Sequence, residues 1–437
     1  MKDKGLPRTG VLTNNNRITF YLDDYCASFI NTESSTYMIP QDNFFIFGSN
    51  YNNHNIAIYK GNIPIQIYRE QRLKTNAYIV ATDNMLPTDW SGFECIVFKG
   101  GTLNQLFCCN AITKGKVSDD TVTYKYNDDS LSFDIEIDGY KCELKIYSNI
   151  SEHWGFDGIT LTNNIVHMSL KFSEKQPLND VFKHISKIKE MLSFMTFRQN
   201  IVFDEIELYH NEKNISKMKV FVKELNVATE KKIHNNLTFH DIQECVVPLL
   251  SMFYNNKEDK PSYEIGFIPS SDKDSGYMNN NKVRLICSAL ECELSFVDDL
   301  KVEEDAQLQL LIKDIKDMVK EHRKGPNKLD SKTYDLIFGS INHWTMSVSD
   351  RICILYHRFE QEMLILMPSS IHISDEQIQK FVKYRNKITH GSWKVLDEEV
   401  AVTAYVLQGL VYCSILKRMG LSQEKIIQLC QNNKLLY

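Results

Sequence analysis

Ser374-Asp375-Glu376-Gln377-Ile378-Gln379-Lys380-Phe381-Val382-Lys383-Tyr384-Arg385-Asn386-Lys387-Ile388-Thr389-His390-Gly391 decides the architecture of the C-terminal half. Ser374 with Gln377 three residues later has the form of a capping box, and Asp375 and Glu376 lie where a helix N-terminus favours negative charge. With the start defined, the register can be counted. Ile378, Phe381 and Val382 mark a buried stripe at helical spacing, and Gly391 is a natural stop. Arg385 follows Phe381 by four residues and Val382 by three, on the same face. A large charged side chain is almost never buried alone, so this position demands either an acidic neighbour or a solvent-filled cleft.

Working outward, the neighbouring segments also read as helices: Ile242 to Phe253, Val283 to Phe296, Glu303 to His322, Thr345 to Met367 closed by Pro368, and Glu398 to Met419. Val400-Ala401-Val402, Tyr405-Val406-Leu407 and Leu410-Val411-Tyr412 leave the last of these almost no polar face, which places it at the centre of a bundle. Lys417, Arg418 and Gly420 suit its end, and Ser422 can cap a short final helix. The Ser/Asp/Asn-rich stretch from about 255 to 281 is expected to be a mobile loop.

Upstream, up to about Asn149, the period changes from 3.6 to 2. Ile56-Ala57-Ile58-Tyr59, Ile63 to Tyr68 and Ala77 to Val80 alternate as short strands, and Thr121 to Tyr126 with Leu131 to Ile137 forms a hairpin candidate. Asp138-Gly139, a favoured tight-turn pair, leads into a further strand through Tyr147. From Leu178, Val181, Ile185, Ile188, Met191 and Leu192 recur at helical spacing, so one helix should pack beside the sheet. Strand character returns over Ile201 to Tyr209, and a polar passage through Lys231 and Lys232 follows. The expected fold class is therefore α+β in two domains: a β-rich, sandwich-like domain over residues 1–232 with a packed helix, and an all-α helical bundle over 233–437.

Composition narrows the function. A chain of 437 residues has material for two cores, and 43% hydrophobic with 24% charged residues is ordinary for a globular protein. No apolar run is read as long enough to cross a bilayer and no signal-like stretch precedes Asn14, so a cytoplasmic protein without a membrane contact is expected. The eleven cysteines show no secreted-domain framework and are read as reduced; no Cys or His spacing suits a structural metal. A formal charge of −6 leaves nucleic-acid contact to a local basic surface.

Such a surface surrounds Arg385: Lys380, Lys383, Lys387 and Lys394, with Tyr384 and Trp393 interleaved as base-stacking faces. The plainer alternative is a solvated lysine face over two packed aromatics. Asn386 and His390 lie one turn apart, and His390 ends the helix, where the macrodipole favours imidazolium and the nearby arginine disfavours it. A permanently charged fork that grips phosphate, beside an imidazole able to move protons, suffices to cleave RNA without a metal or cofactor. His390 would take part in moving the ribose 2′-hydroxyl proton and Arg385 would stabilise charge on the phosphoryl oxygens, giving a cyclic phosphate and a 5′-hydroxyl. The alternative for the pair is a buried ion pair with a satisfied core histidine. No Walker-type loop and no Gly-x-Ser-x-Gly elbow is present.

Arg385-Asn386 followed by His390, on the penultimate long helix of a bundle, resembles the Arg-x4-6-His motif of HEPN domains. Ser288-Ala289-Leu290-Glu291 is similar to the Ala-Leu-Glu signature of the ApeA-like HEPN branch, and the β-rich N-terminal part resembles the domain that accompanies it. The resemblance implies a HEPN endoribonuclease of abortive antiphage defence, a homodimer in which two motifs face one shared cleft. Arg385 and His390 would then be the catalytic positions, Asn386 a third at their side, and Glu291 a supporting acid that pairs with or orients Arg385. The RNA, whether tRNA, messenger or ribosomal, is not specified, and by analogy alone the N-terminal domain would sense a phage-derived trigger or hold the enzyme off. Two other readings stay open: a non-enzymatic dimeric sensor or adaptor, and a HEPN toxin controlled by a separate antitoxin.

Overall fold

The computed structural model describes residues 8–50, 54–81, 92–107, 117–118, 121–122, 130–155, 158–210, 217–223, 236–255, 262–300, 306–342, 347–367, 371–391 and 395–432. The chain divides into two compact units, Met1–Glu258 and Asp259–Tyr437, the first built on a large antiparallel sheet and the second on helices. The α+β layout is the expected one.

Among the described residues of the first unit, thirteen strands join in one antiparallel sheet, from Ser130–Ile137 at one edge to Glu70–Lys74 at the other. Asp138-Gly139 closes a two-residue hairpin, with Ile137 opposite Tyr140 and both turn residues at positive φ (53° and 85°), the twist that a tight hairpin needs. Of the hairpin expected over Thr121 to Ile137, residues 123–129 lie outside the described residues, as do Lys231 and Lys232.

The sheet changes its buried face where the strand Lys217–Val222 meets the strand Ala77–Ala81. Directly paired residues of antiparallel strands share a face, so Val80, Lys219, Glu207 and Val97 lie on one side, and Ala81, Met218, Leu208 and Ile96 on the other. Val80 belongs to a core built on Phe20, Phe29, Ile56 and Ile67. Across the boundary the same side turns polar: Lys99 Nζ lies 2.6 Å from Glu207 Oε2 and 3.1 Å from Glu205 Oε2, and Tyr209 donates to Glu207 at 2.6 Å. Lys217 and Lys219 complete the network on Glu207 and Glu205. Burial opposes ionisation of Glu205, but hydrogen bonds from its lysine partners outweigh it and hold the carboxyl down to about 2.

The apolar side carries the expected helix, Val181–Thr196, whose Phe182 packs 4.4 Å from Tyr59. It also carries a second helix, Val246–Asn255, anchored by Phe253 against Phe194 and by a 2.8 Å bond between Tyr254 and His184. These contacts put the division at Glu258, whereas composition placed it near Lys232.

The helical unit is arranged around the helix Glu398–Arg418, buried through its centre from Val406 to Leu416. Contrary to the expectation that no run is long enough, this helix has the length and hydropathy to cross a membrane. However, 78% of its most apolar window is buried inside the protein, and packing in the bundle accounts for its composition. Residues 262–279, expected to be mobile, form two short helical turns whose Phe267 and Ile268 are buried, with the Phe267 carbonyl accepting from Gln408 at 2.7 Å. The single helix expected over Thr345 to Met367 is two, Val348–Arg358 and Glu360–Leu366, broken at Phe359. A further helix, Ser331–Asn342, pairs with Ala306–Lys324.

Candidate active site

The helix Asp375–Thr389 starts at the expected capping box: Ser374 N donates to Gln377 Oε1 at 2.8 Å and Ser374 Oγ accepts from Gln377 N at 3.4 Å. Ile378 and Phe381 are fully buried and Val382 nearly so, which seats the helix against Asn280–Leu294, Val348–Arg358 and the central helix. This seating turns Arg385 toward Asn280–Leu294. Its Nη2 donates to Glu291 Oε2 at 2.6 Å and its Nη1 to Asn386 Oδ1 at 3.1 Å. The arginine therefore has its acidic partner and keeps a path to solvent, since its side chain is 21% exposed and that of Glu291 31%. The Arg385 carbonyl accepts from Thr389 Oγ1 at 2.9 Å, one turn on.

His390 is the C-cap residue, exposed, with its backbone N–H donating to the Asn386 carbonyl at 3.2 Å. Gly391 follows at φ +86°, a left-handed conformation that ends the helix and that a side chain would strain. Five helical residues separate positions by about 140° around the axis and about 7.5 Å along it. Arg385 and His390 of one helix thus share its C-terminal end and point to different sides of it.

The flanking residues divide. Lys383 and Lys387 are exposed and without an ion pair among the described residues. Lys380 is held by Asp397 at 2.7 Å and by Glu399. Tyr384, expected as a stacking face, is buried, with its hydroxyl donating to Asn280 Oδ1 at 2.9 Å, so its ring has no open side for a base. Asn280 lies 104 residues away in sequence, and no local signal announces the contact. Lys394 and Trp393 lie outside the described residues.

Other reactive groups of the helical unit have their own surroundings. Burial, with Glu291 adding to it, pushes the Cys287 thiol up to about 12 and leaves no thiolate nucleophile there. His357 bonds Asp375 at 3.0 Å and His372 bonds Glu360 at 3.1 Å, both on the surface; His343 lies outside the described residues. Among the described residues no three metal-ligating side chains gather at one place.

Residues 30–249 match the protein family described as ApeA N-terminal domain 1, a span of half the chain. No curated protein and no solved structure matches.

Proposed function

Given that the chain belongs to the ApeA N-terminal domain 1 family, we propose that it is an antiphage-defence protein whose helical unit is a HEPN-type, metal-independent endoribonuclease. The observation that carries this reading is the constellation at one helix end: Arg385 half-open on Glu291, Asn386 beside it, and an exposed His390 at the cap.

His390 accepts the proton of a ribose 2′-hydroxyl as its oxygen attacks the adjacent phosphorus, and Arg385 stabilises the charge growing on the non-bridging oxygens. The 5′-oxygen leaves with a proton returned by the imidazolium so formed, giving a 2′,3′-cyclic phosphate and a 5′-hydroxyl and regenerating the neutral histidine. Because the two side chains diverge around one helix, a second copy that brings its own helix end across a shared cleft would place an arginine and a histidine on opposite sides of one phosphodiester. This favours action as a homodimer. Glu291 orients the guanidinium, Lys383 and Lys387 hold flanking phosphates, and the β-rich unit controls the enzyme in response to a phage-derived trigger.

The 2.6 Å Arg385–Glu291 contact also suits a second reading, in which the pair only fastens two helices of a non-enzymatic adaptor. Mapping RNA ends in cells expressing the wild type and His390→Ala separates the two. New ends that vanish with the substitution support the nuclease, and identical end profiles support the adaptor.

A further inference from the structure

The helices Ala306–Lys324 and Ser331–Asn342 form a hairpin whose tip has its own chemistry. From Lys320 to Lys332 the sequence holds five lysines and arginines (Lys320, Arg323, Lys324, Lys328, Lys332) and two acids, in a chain of net charge −6. All seven are exposed. Lys320 and Lys324 make ion pairs with Asp317 and Glu321, at 2.8 and 3.0 Å, between side chains that are more than half exposed. Such pairs yield readily to a stronger anion. Arg323, Lys328 and Lys332 have no carboxylate partner among the described residues. Asp330 is committed to capping the second helix through Thr333, which holds its carboxyl below the usual range.

The turn is fixed. Tyr334 is buried, its hydroxyl accepts from Leu329 N at 3.2 Å and bonds His322 Nδ1 at 2.9 Å, and the Arg323 guanidinium lies over its ring at 5.6 Å. A fixed turn presents its cations at little ordering cost. The basic turn of the first helix also sits at a C-terminus, where the helix dipole favours it. Lysine and arginine side chains on such a surface contact phosphates, which position a strand and carry no sequence information.

We propose that this hairpin tip is a binding site for the phosphate backbone of single-stranded RNA, through Arg323, Lys328 and Lys332, independent of sequence. The assignment of RNA rests on the ribonuclease reading, for which the tip is a substrate-holding surface apart from Arg385 and His390.

The test uses the full chain carrying His390→Ala, which cannot consume the probe, and a short fluorescein-labelled single-stranded RNA. Affinity is followed against salt concentration. Each phosphate contact on a single strand contributes about 0.7 to the slope of log K against log salt, so Arg323→Gln/Lys328→Gln/Lys332→Gln should lower the slope by about 2. The positions are exposed, and circular dichroism checks that the variant folds. In the chain with His390 intact, the triple variant should raise KM and leave kcat unchanged. An unchanged slope and KM in a cleaving enzyme overturn the hairpin site and leave the nuclease standing. A slope that falls by about 2 in a chain that never cleaves RNA supports the site and overturns the nuclease. A slope unchanged for RNA but a lost interaction with an acidic peptide assigns the tip to a protein partner and overturns the proposal.

Discussion

Glu291→Gln tests how the arginine is held. The substitution keeps the side-chain shape and removes the charge that accepts from Arg385 Nη2 at 2.6 Å. A hydrogen bond to a charged group contributes about 1.5–3 kcal/mol when shielded. The 21% and 31% exposure of the two side chains reduces this to about 1–1.5 kcal/mol. If the contact orients the guanidinium toward the phosphate, that energy appears in the transition state, and about 1.4 kcal/mol corresponds to about a tenfold loss in kcat/KM. Arg385→Ala should lose much more, about a hundredfold or beyond, because it removes the charge itself. Initial rates on a labelled RNA, with urea denaturation of each variant, separate orientation from unfolding. A Glu291→Gln enzyme within twofold of the wild type would refute the orienting role, and a faster one would mean that the glutamate blocks the arginine.

Three further outcomes follow from particular contacts. Arg418 lies between two buried carboxylates, bonding Glu293 at 2.9 and 3.2 Å and Glu264 at 3.4 Å; Arg418→Met should destabilise the helical unit by about 3–5 kcal/mol, read by chemical denaturation. Glu205 is held down to about 2, below its unfolded value, so its contribution to stability is full above about pH 4.5 and is lost as pH falls toward 2; acid titration followed by circular dichroism of the strands should show that loss. Tyr384→Phe removes the hydroxyl that bonds Asn280, which should cost about 1 kcal/mol of stability and leave RNA affinity unchanged; weaker RNA binding in a folded variant would return Tyr384 to the binding surface.

What could be read from the sequence was local. The capping box at Ser374, the Asp138-Gly139 turn and the all-apolar helix around Val406 each depend on residues within a turn or two of one another. The partner of Arg385 was partly legible, because an arginine on a buried stripe demands an acid, and Glu291 was available on another helix. Long-range pairing was not. The burial of Tyr384 is settled by Asn280, and the Glu293–Arg418 network joins positions 125 residues apart. Residues 262–279 look like a loop by composition, yet two apolar side chains and Gln408 fix them in place. The break at Phe359 has no glycine or proline to announce it; the Arg358 guanidinium at the helix end bonds Asp299 at 3.1 and 2.5 Å, a tertiary contact. The sheet's change of buried face is likewise invisible strand by strand, since only the pairing of the strands decides which side is covered.

The most direct measurement takes purified protein, total RNA and excess chelator, and determines the chemistry of the ends produced. The wild type should give fragments with 2′,3′-cyclic phosphates and 5′-hydroxyls, an all-DNA substrate should survive, and Arg385→Ala and His390→Ala, shown to be folded, should give none. Equal cleavage by all three proteins, or fragments ending in 5′-phosphates, would contradict the assignment.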